Sequence, residues 1–125
     1  MNIFMGRWNN REDMIRDFCR YLDNGGVDLA HVEAYLDGAE IIFAHYTRDC
    51  YEGRAFVLYR KGDQYFEVNG SHCSCYGLEG QFDPEETTIA AIRHRLEEGG
   101  LGRGYNDTDE FASKLTEALN QLEAA

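Results

Sequence analysis

The 125-residue sequence contains one proline and no long apolar run. Without proline-rich or low-complexity stretches there is no linker to divide the chain, so we expect a single domain over residues 1–125. No run of about 18 apolar residues is present, which argues against a membrane-spanning helix. The first eight residues also lack the basic start and small-residue cleavage site of a signal peptide, so we expect a cytoplasmic protein with no membrane partner.

Positive charge is scarce as well. The chain has 12 Lys and Arg residues against 23 Asp and Glu residues, a net charge of −11. Nucleic-acid binding through phosphates needs clustered Lys and Arg, so the composition argues against direct nucleic-acid binding. The acidity is uneven, with 10 acidic and 7 basic residues in positions 1–60 but 13 and 5 in positions 61–125. A basic protein surface is the natural complement of such a charge.

The four cysteines, Cys19, Cys50, Cys73 and Cys75, are expected to be reduced thiols. Nothing marks the chain as secreted, and 43% hydrophobic residues are enough to bury a core without disulfides.

The hydrophobic pattern predicts the element order ααβββαα and hence an α+β fold. A helix is expected from the Asn10 cap to about Asp23, and a shorter one from an Asp28 cap to Gly38. Strands are expected over 39–46, 55–60 and 64–68, with a hairpin turn at 61–63 and a polar loop at 47–54. These form a small three- to four-stranded antiparallel meander covered by the terminal helices, with the segment before residue 9 as the optional fourth strand.

Two more helices are expected in the last third of the chain. Asp83 as N-cap, Pro84 at the first helical position and Glu86 three residues after the cap fit a capping box, and Gly99 ends that helix. The last helix is expected after the segment 107–110, with Leu115 and Leu119 on its buried face.

The most distinctive stretch is NGSHCSCYGLEGQ, residues 69–81. Structural zinc is one interpretation, with Cys73, Cys75, Cys50 and His72 as ligands. Zinc needs four ligands, usually from two pairs, and an extended segment would point His72 away from the two neighbouring thiols. A packed turn that joins sheet to helix, with no cofactor, is the favoured interpretation.

Thiol catalysis is a further interpretation of the same stretch. Cys73 or Cys75 would be the nucleophile and His72 or His45 the base. The acidic surroundings raise a thiol pKa rather than lower it, so no residue is assigned a catalytic role and a binding protein is favoured over an enzyme.

Carboxylates dominate the C-terminal region and suggest a docking surface. A helical face with carboxylates spaced like phosphates can occupy a basic groove on another protein. The ordinary alternative is a solvated face that maintains solubility. The residues assigned to partner binding are Glu85, Glu86, Glu97, Glu98, Asp109 and Glu110.

The runs YEGRAFVLYR (51–60) and FEVNGSHCSCYGLEGQFDPEETT (66–88) resemble a family of small uncharacterised proteins encoded by bacteriophages and prophages. The resemblance covers residues 39–96, and its most specific part is 71–81. It implies an accessory protein made inside a bacterial host cell. Together with the acidity, this context favours a protein that binds and inhibits or modulates a basic host protein, such as a nucleic-acid-binding defence protein.

Overall fold

The computed structural model describes residues 3–19, 27–49, 52–72, 77–104 and 108–124. Its contacts group into two compact units, Met1–Glu86 and Thr87–Ala125. The described elements are β1 (Ile3–Gly6), α1 (Arg11–Phe18), α2 (Val27–Leu36), β2 (Glu40–Asp49), β3 (Glu52–Lys61), β4 (Gln64–His72), β5 (Glu85–Thr87), α3 (Ile89–Glu98) and α4 (Ala112–Ala124). None of these helices is both long enough and apolar enough to cross a membrane.

The α+β class is confirmed, whereas the expected meander of three or four antiparallel strands is wrong in strand number and direction. The described sheet has five strands in the order β1-β2-β3-β4-β5. The antiparallel strands β2, β3 and β4 match the predicted meander, but β1 pairs with β2 in parallel, with Ile3 opposite Phe43. A parallel pair needs a crossover connection, which the segment containing α1 and α2 provides.

The three central strands are longer than their apolar cores. The expected loop at 47–54 is largely strand, with Thr47 opposite Arg54 and Asp49 paired to Glu52. Polar residues can extend a ladder because the backbone carries the pairing. The hairpin between β3 and β4 is confirmed, and Gly62 takes the positive φ of 64° that its turn requires.

The helices of the first unit contribute to its main core. Asn10 caps α1 as predicted and accepts a hydrogen bond from the Asp13 amide (2.8 Å). However, α1 ends at Phe18 rather than near Asp23, and the backbone at Cys19 is extended. Asp28 lies inside α2 instead of capping it. The buried core cluster comprises Trp8, Met14, Phe18, Val32, Leu36, Ile41, Ala44, Tyr46, Ala55, Val57, Tyr59, Val68, Leu78 and Phe82.

The opposite face of the sheet is also buried along β2 and β3. Phe43 and Phe56 lie on this face with ring centroids 6.3 Å apart. Two polar side chains accompany them, His45 at 3% exposure and Glu67 at 6%. The central strands are therefore covered on both faces, which explains their near-continuous apolar sequences.

In the second unit, α3 begins at Ile89 with Thr88 as its N-cap, whose hydroxyl accepts from the Ala91 amide (3.0 Å). The predicted start after Asp83 is wrong, because the residues that follow Pro84 form β5. Gly99 caps the C-terminal end of α3 as predicted. Leu115 and Leu119 are fully buried on α4, which confirms the predicted face.

Candidate functional site

The cysteine-rich stretch is only partly described. Strand β4 extends through His72, whereas Cys50, Cys73 and Cys75 lie outside the described residues. The zinc and thiol interpretations therefore concern side chains that the structure does not describe. Within the described residues, no group of three or more His, Cys, Asp or Glu side chains is arranged to hold a metal ion.

The flanks of this stretch are joined by the carboxamide of Gln81. Its Oε1 accepts from the Ser71 amide (2.8 Å), and its Nε2 donates to the carbonyls of Ser71 (2.7 Å) and Gly77 (2.8 Å). The side chain thus pairs with Ser71 as a neighbouring strand residue would. Because one carboxamide binds both Ser71 and Gly77, these two backbone positions lie close together, and Leu78 is buried beside them.

His45, considered as a base or zinc ligand, lies buried on β2. Its Nε2 shares a 2.8 Å hydrogen bond with the Thr47 hydroxyl. Burial removes the imidazole from water and lowers its pKa to about 4, so the ring is neutral at pH 7.

Five of the six predicted docking carboxylates are exposed, and Glu110 is half-buried. Glu85 and Glu86 lie in β5, so their predicted helical position is wrong. The Glu86 carboxylate accepts a long hydrogen bond from the Gln64 carboxamide (3.3 Å). Glu97 and Glu98 occupy the last turn of α3, as predicted, and point to solvent.

The other two carboxylates belong to the start of α4. Asp109 accepts from the amide of Ser113 (3.1 Å) and also from its hydroxyl. These hydrogen bonds, the hydroxyl first, hold the pKa of Asp109 below its usual value. Glu110 is half-buried in the same turn. Asp109 is exposed too, but its hydrogen bonds stabilise the helix start, so it is less suited to a partner than the other four exposed carboxylates.

The exposed carboxylates are not neutralised by the described part of the chain. Glu85, Glu86, Glu97 and Glu98 form no ion pair there, and the same holds for the exposed Glu79 and Asp83, which lie outside the predicted docking set. The ion pairs found lie elsewhere: Arg16 with Asp13 and Asp17, Arg60 with Glu40, Arg93 with Glu123, and Lys114 with Glu117.

Comparison of the chain with protein families, curated proteins and solved structures finds no match.

Proposed function

We propose that this chain is a binding protein rather than an enzyme, and that its exposed carboxylates dock on a basic surface of a host protein whose activity it inhibits or modulates. In this proposal it acts as a bacteriophage accessory protein in the cytoplasm of a bacterial cell. The groups that make the contact are Glu85, Glu86, Glu97 and Glu98, while Asp109 stabilises the start of α4 and Glu110 is half-buried.

The observation that supports docking best is the position of Glu97 and Glu98. Adjacent carboxylates repel each other, and both occupy the last turn of α3, where the negative end of the helix dipole disfavours anions by about 0.3–1 kcal/mol each. Neither side chain forms an ion pair with a described residue. The fold gains nothing from these charges, whereas Lys and Arg side chains of a partner would stabilise them.

Glu85 and Glu86 have an additional explanation within the folded chain. They lie in β5 at the edge of the described sheet, and charged residues on edge strands discourage pairing with other chains. Their contribution to docking is therefore tested separately from that of Glu97 and Glu98.

A groove that normally binds nucleic acid is the partner surface we favour. Such a groove is lined by Lys and Arg, and its field attracts extended anionic surfaces. Association should be fast and sensitive to salt, and duplex DNA should compete with this chain for the partner.

The test is retention of a basic protein from a bacterial lysate on immobilised chain at low salt. The fourfold variant Glu85→Gln, Glu86→Gln, Glu97→Gln, Glu98→Gln is expected to lose this retention. The control Glu12→Gln, Glu33→Gln, Asp37→Asn, Asp63→Asn neutralises four other exposed carboxylates and should keep it. Added duplex DNA should release the retained protein.

Each half of the fourfold variant, tested alone, identifies which carboxylate pair contributes. Equal loss of retention in the fourfold variant and in its control would show that only net charge matters. That result would contradict the proposed surface. Failure of the wild-type chain to retain any basic protein would contradict docking itself.

A further inference from the structure

The second unit contains a cavity of about 320 Å³ between α3 and the start of α4. Its lining includes two arginines and one carboxylate together with apolar atoms: Arg93, Arg103, Glu97, Leu96 and Ala112. This volume is at the lower end of the range of small-molecule pockets, roughly 300–1,000 Å³. The lining side chains carry two positive charges and one negative charge, and Arg93 is also paired with Glu123. Glu97 belongs both to this lining and to the docking carboxylates.

Arg93 is held in position by contacts that use only part of its guanidinium. Nε donates to the Glu123 carboxylate (2.8 Å), and Nη2 donates to the Asn120 carboxamide oxygen (2.9 Å). A guanidinium carries five N–H donors in a rigid fork, so these two bonds fix its plane and leave donors for a further acceptor.

Arg103 is positioned by the backbone around it. It follows Gly102, whose φ of 79° is left-handed, and it forms an isolated β-bridge with Asp109. The neighbouring turn is closed by three amides, those of Glu110, Phe111 and Ala112, which donate to the Gly102 carbonyl. The side chain therefore starts from a well-defined backbone position at the cavity.

The amides at the start of α4 are already used and do not contribute. The Ala112 amide donates to Gly102, and the Ser113 amide donates to Asp109. The Ser113 and Thr116 hydroxyls in the lining donate to Asp109 and to the Ala112 carbonyl, so an anion in the cavity is held by the arginine side chains. Leu96 and Ala112 supply an apolar wall for the rest of the molecule.

We propose that this cavity binds a small organic anion, with its carboxylate or phosphate group at Arg93 and Arg103 and its apolar body against Leu96 and Ala112. Guanidinium groups bind both head groups through paired hydrogen bonds. Glu97 lies in the same lining and opposes the anion, so it weakens binding.

The test is calorimetric titration of the full chain at low ionic strength with phenyl phosphate and with benzoate, using inorganic phosphate as a probe that lacks the apolar body. We expect saturable binding of phenyl phosphate or benzoate, and which of the two binds identifies the head group. Inorganic phosphate should bind several-fold more weakly than phenyl phosphate, and equal affinity would overturn the role of the apolar wall.

Three variants make the assignment specific. Arg103→Gln should weaken binding about tenfold, because a charged hydrogen-bonding group is lost. Lys114→Gln removes the same charge from α4 outside the cavity lining and should leave affinity unchanged. Glu97→Gln should tighten binding by about twofold to fivefold, a gain that misfolding cannot produce. No saturable binding to wild type or Glu97→Gln, or equal losses in Arg103→Gln and Lys114→Gln, would overturn the proposal.

Discussion

At the scale of single residues, His45 shows how burial changes chemistry. The side chain is 3% exposed, and loss of hydration lowers its pKa to about 4, compared with the ordinary value of 6.5. The unfolded chain therefore binds a proton on this residue at a higher pH than the folded chain does. Stability from the neutral imidazole is fully present above pH 6.5 and is lost as the pH falls towards 4.

Replacing His45 with Gln should remove this pH dependence while keeping a polar partner for Thr47. The wild-type free energy of unfolding should decrease by about 2 kcal/mol between pH 7 and pH 5, because one pKa unit corresponds to about 1.4 kcal/mol. The variant should change much less over the same interval, in which most carboxylates remain ionised. Urea unfolding at both pH values measures this, and parallel decreases in the two proteins would show that His45 is not the titrating group.

Gln81 is a residue whose role the sequence did not predict. It lies at the end of the distinctive stretch, but its three hydrogen bonds depend on how the folded chain places Gln81 beside Ser71 and Gly77. A single carboxamide in a glycine-rich segment carries no pattern that specifies such partners. Asn10, in contrast, was correctly predicted as a cap because its bond is to a residue three positions away.

At the scale of elements, Gly102 determines how α4 begins. Its φ is 79°, and a Cβ built there would lie 2.6 Å from the Ala112 nitrogen, which is too close for any real contact. Its carbonyl also accepts the three amides that precede and open the helix. Gly100 has a similar φ of 74°, but no atom lies within 4 Å of a Cβ built there.

Gly102→Ala should therefore destabilise the protein by about 3 kcal/mol or more, since a backbone clash adds to the left-handed strain. Gly100→Ala carries only the strain and should cost about 1–2 kcal/mol. Chemical unfolding of the two variants beside the wild type measures the difference. Equal losses would mean that the turn shifts to accommodate the methyl group.

Local patterns predicted most of the elements but not how the sheet is completed. The hairpin of β3 and β4 was predicted correctly from the alternating residues of both strands and from the Gly62 turn, because these signals are local. The parallel position of β1 and the strand β5 both depend on partners far along the sequence. A capping box was predicted at Asp83, Pro84 and Glu86, yet Thr88 caps α3 instead. Asp83 and Thr88 can both serve as an N-cap, and the pairing of β5 beside β4 selects Thr88.

At the scale of the whole molecule, charge is the property that carries the functional proposal. Composition predicted a basic partner, and the structure separates carboxylates that stabilise the fold from those that do not. Asp109 belongs to the first group through Ser113, whereas Glu97 and Glu98 belong to the second. That division depends on which side chains contact each other in the folded chain, so the number of acidic residues could not predict it.

Zero-length carbodiimide cross-linking in a bacterial lysate, read out by mass spectrometry, locates the docking surface, because it joins carboxylates only to lysines in contact with them. We expect links from Glu85, Glu86, Glu97 or Glu98 to lysines of one basic protein to predominate. Links made equally by exposed carboxylates elsewhere, such as Glu33, Asp37 and Asp63, would contradict it and indicate a surface that is acidic only for solubility.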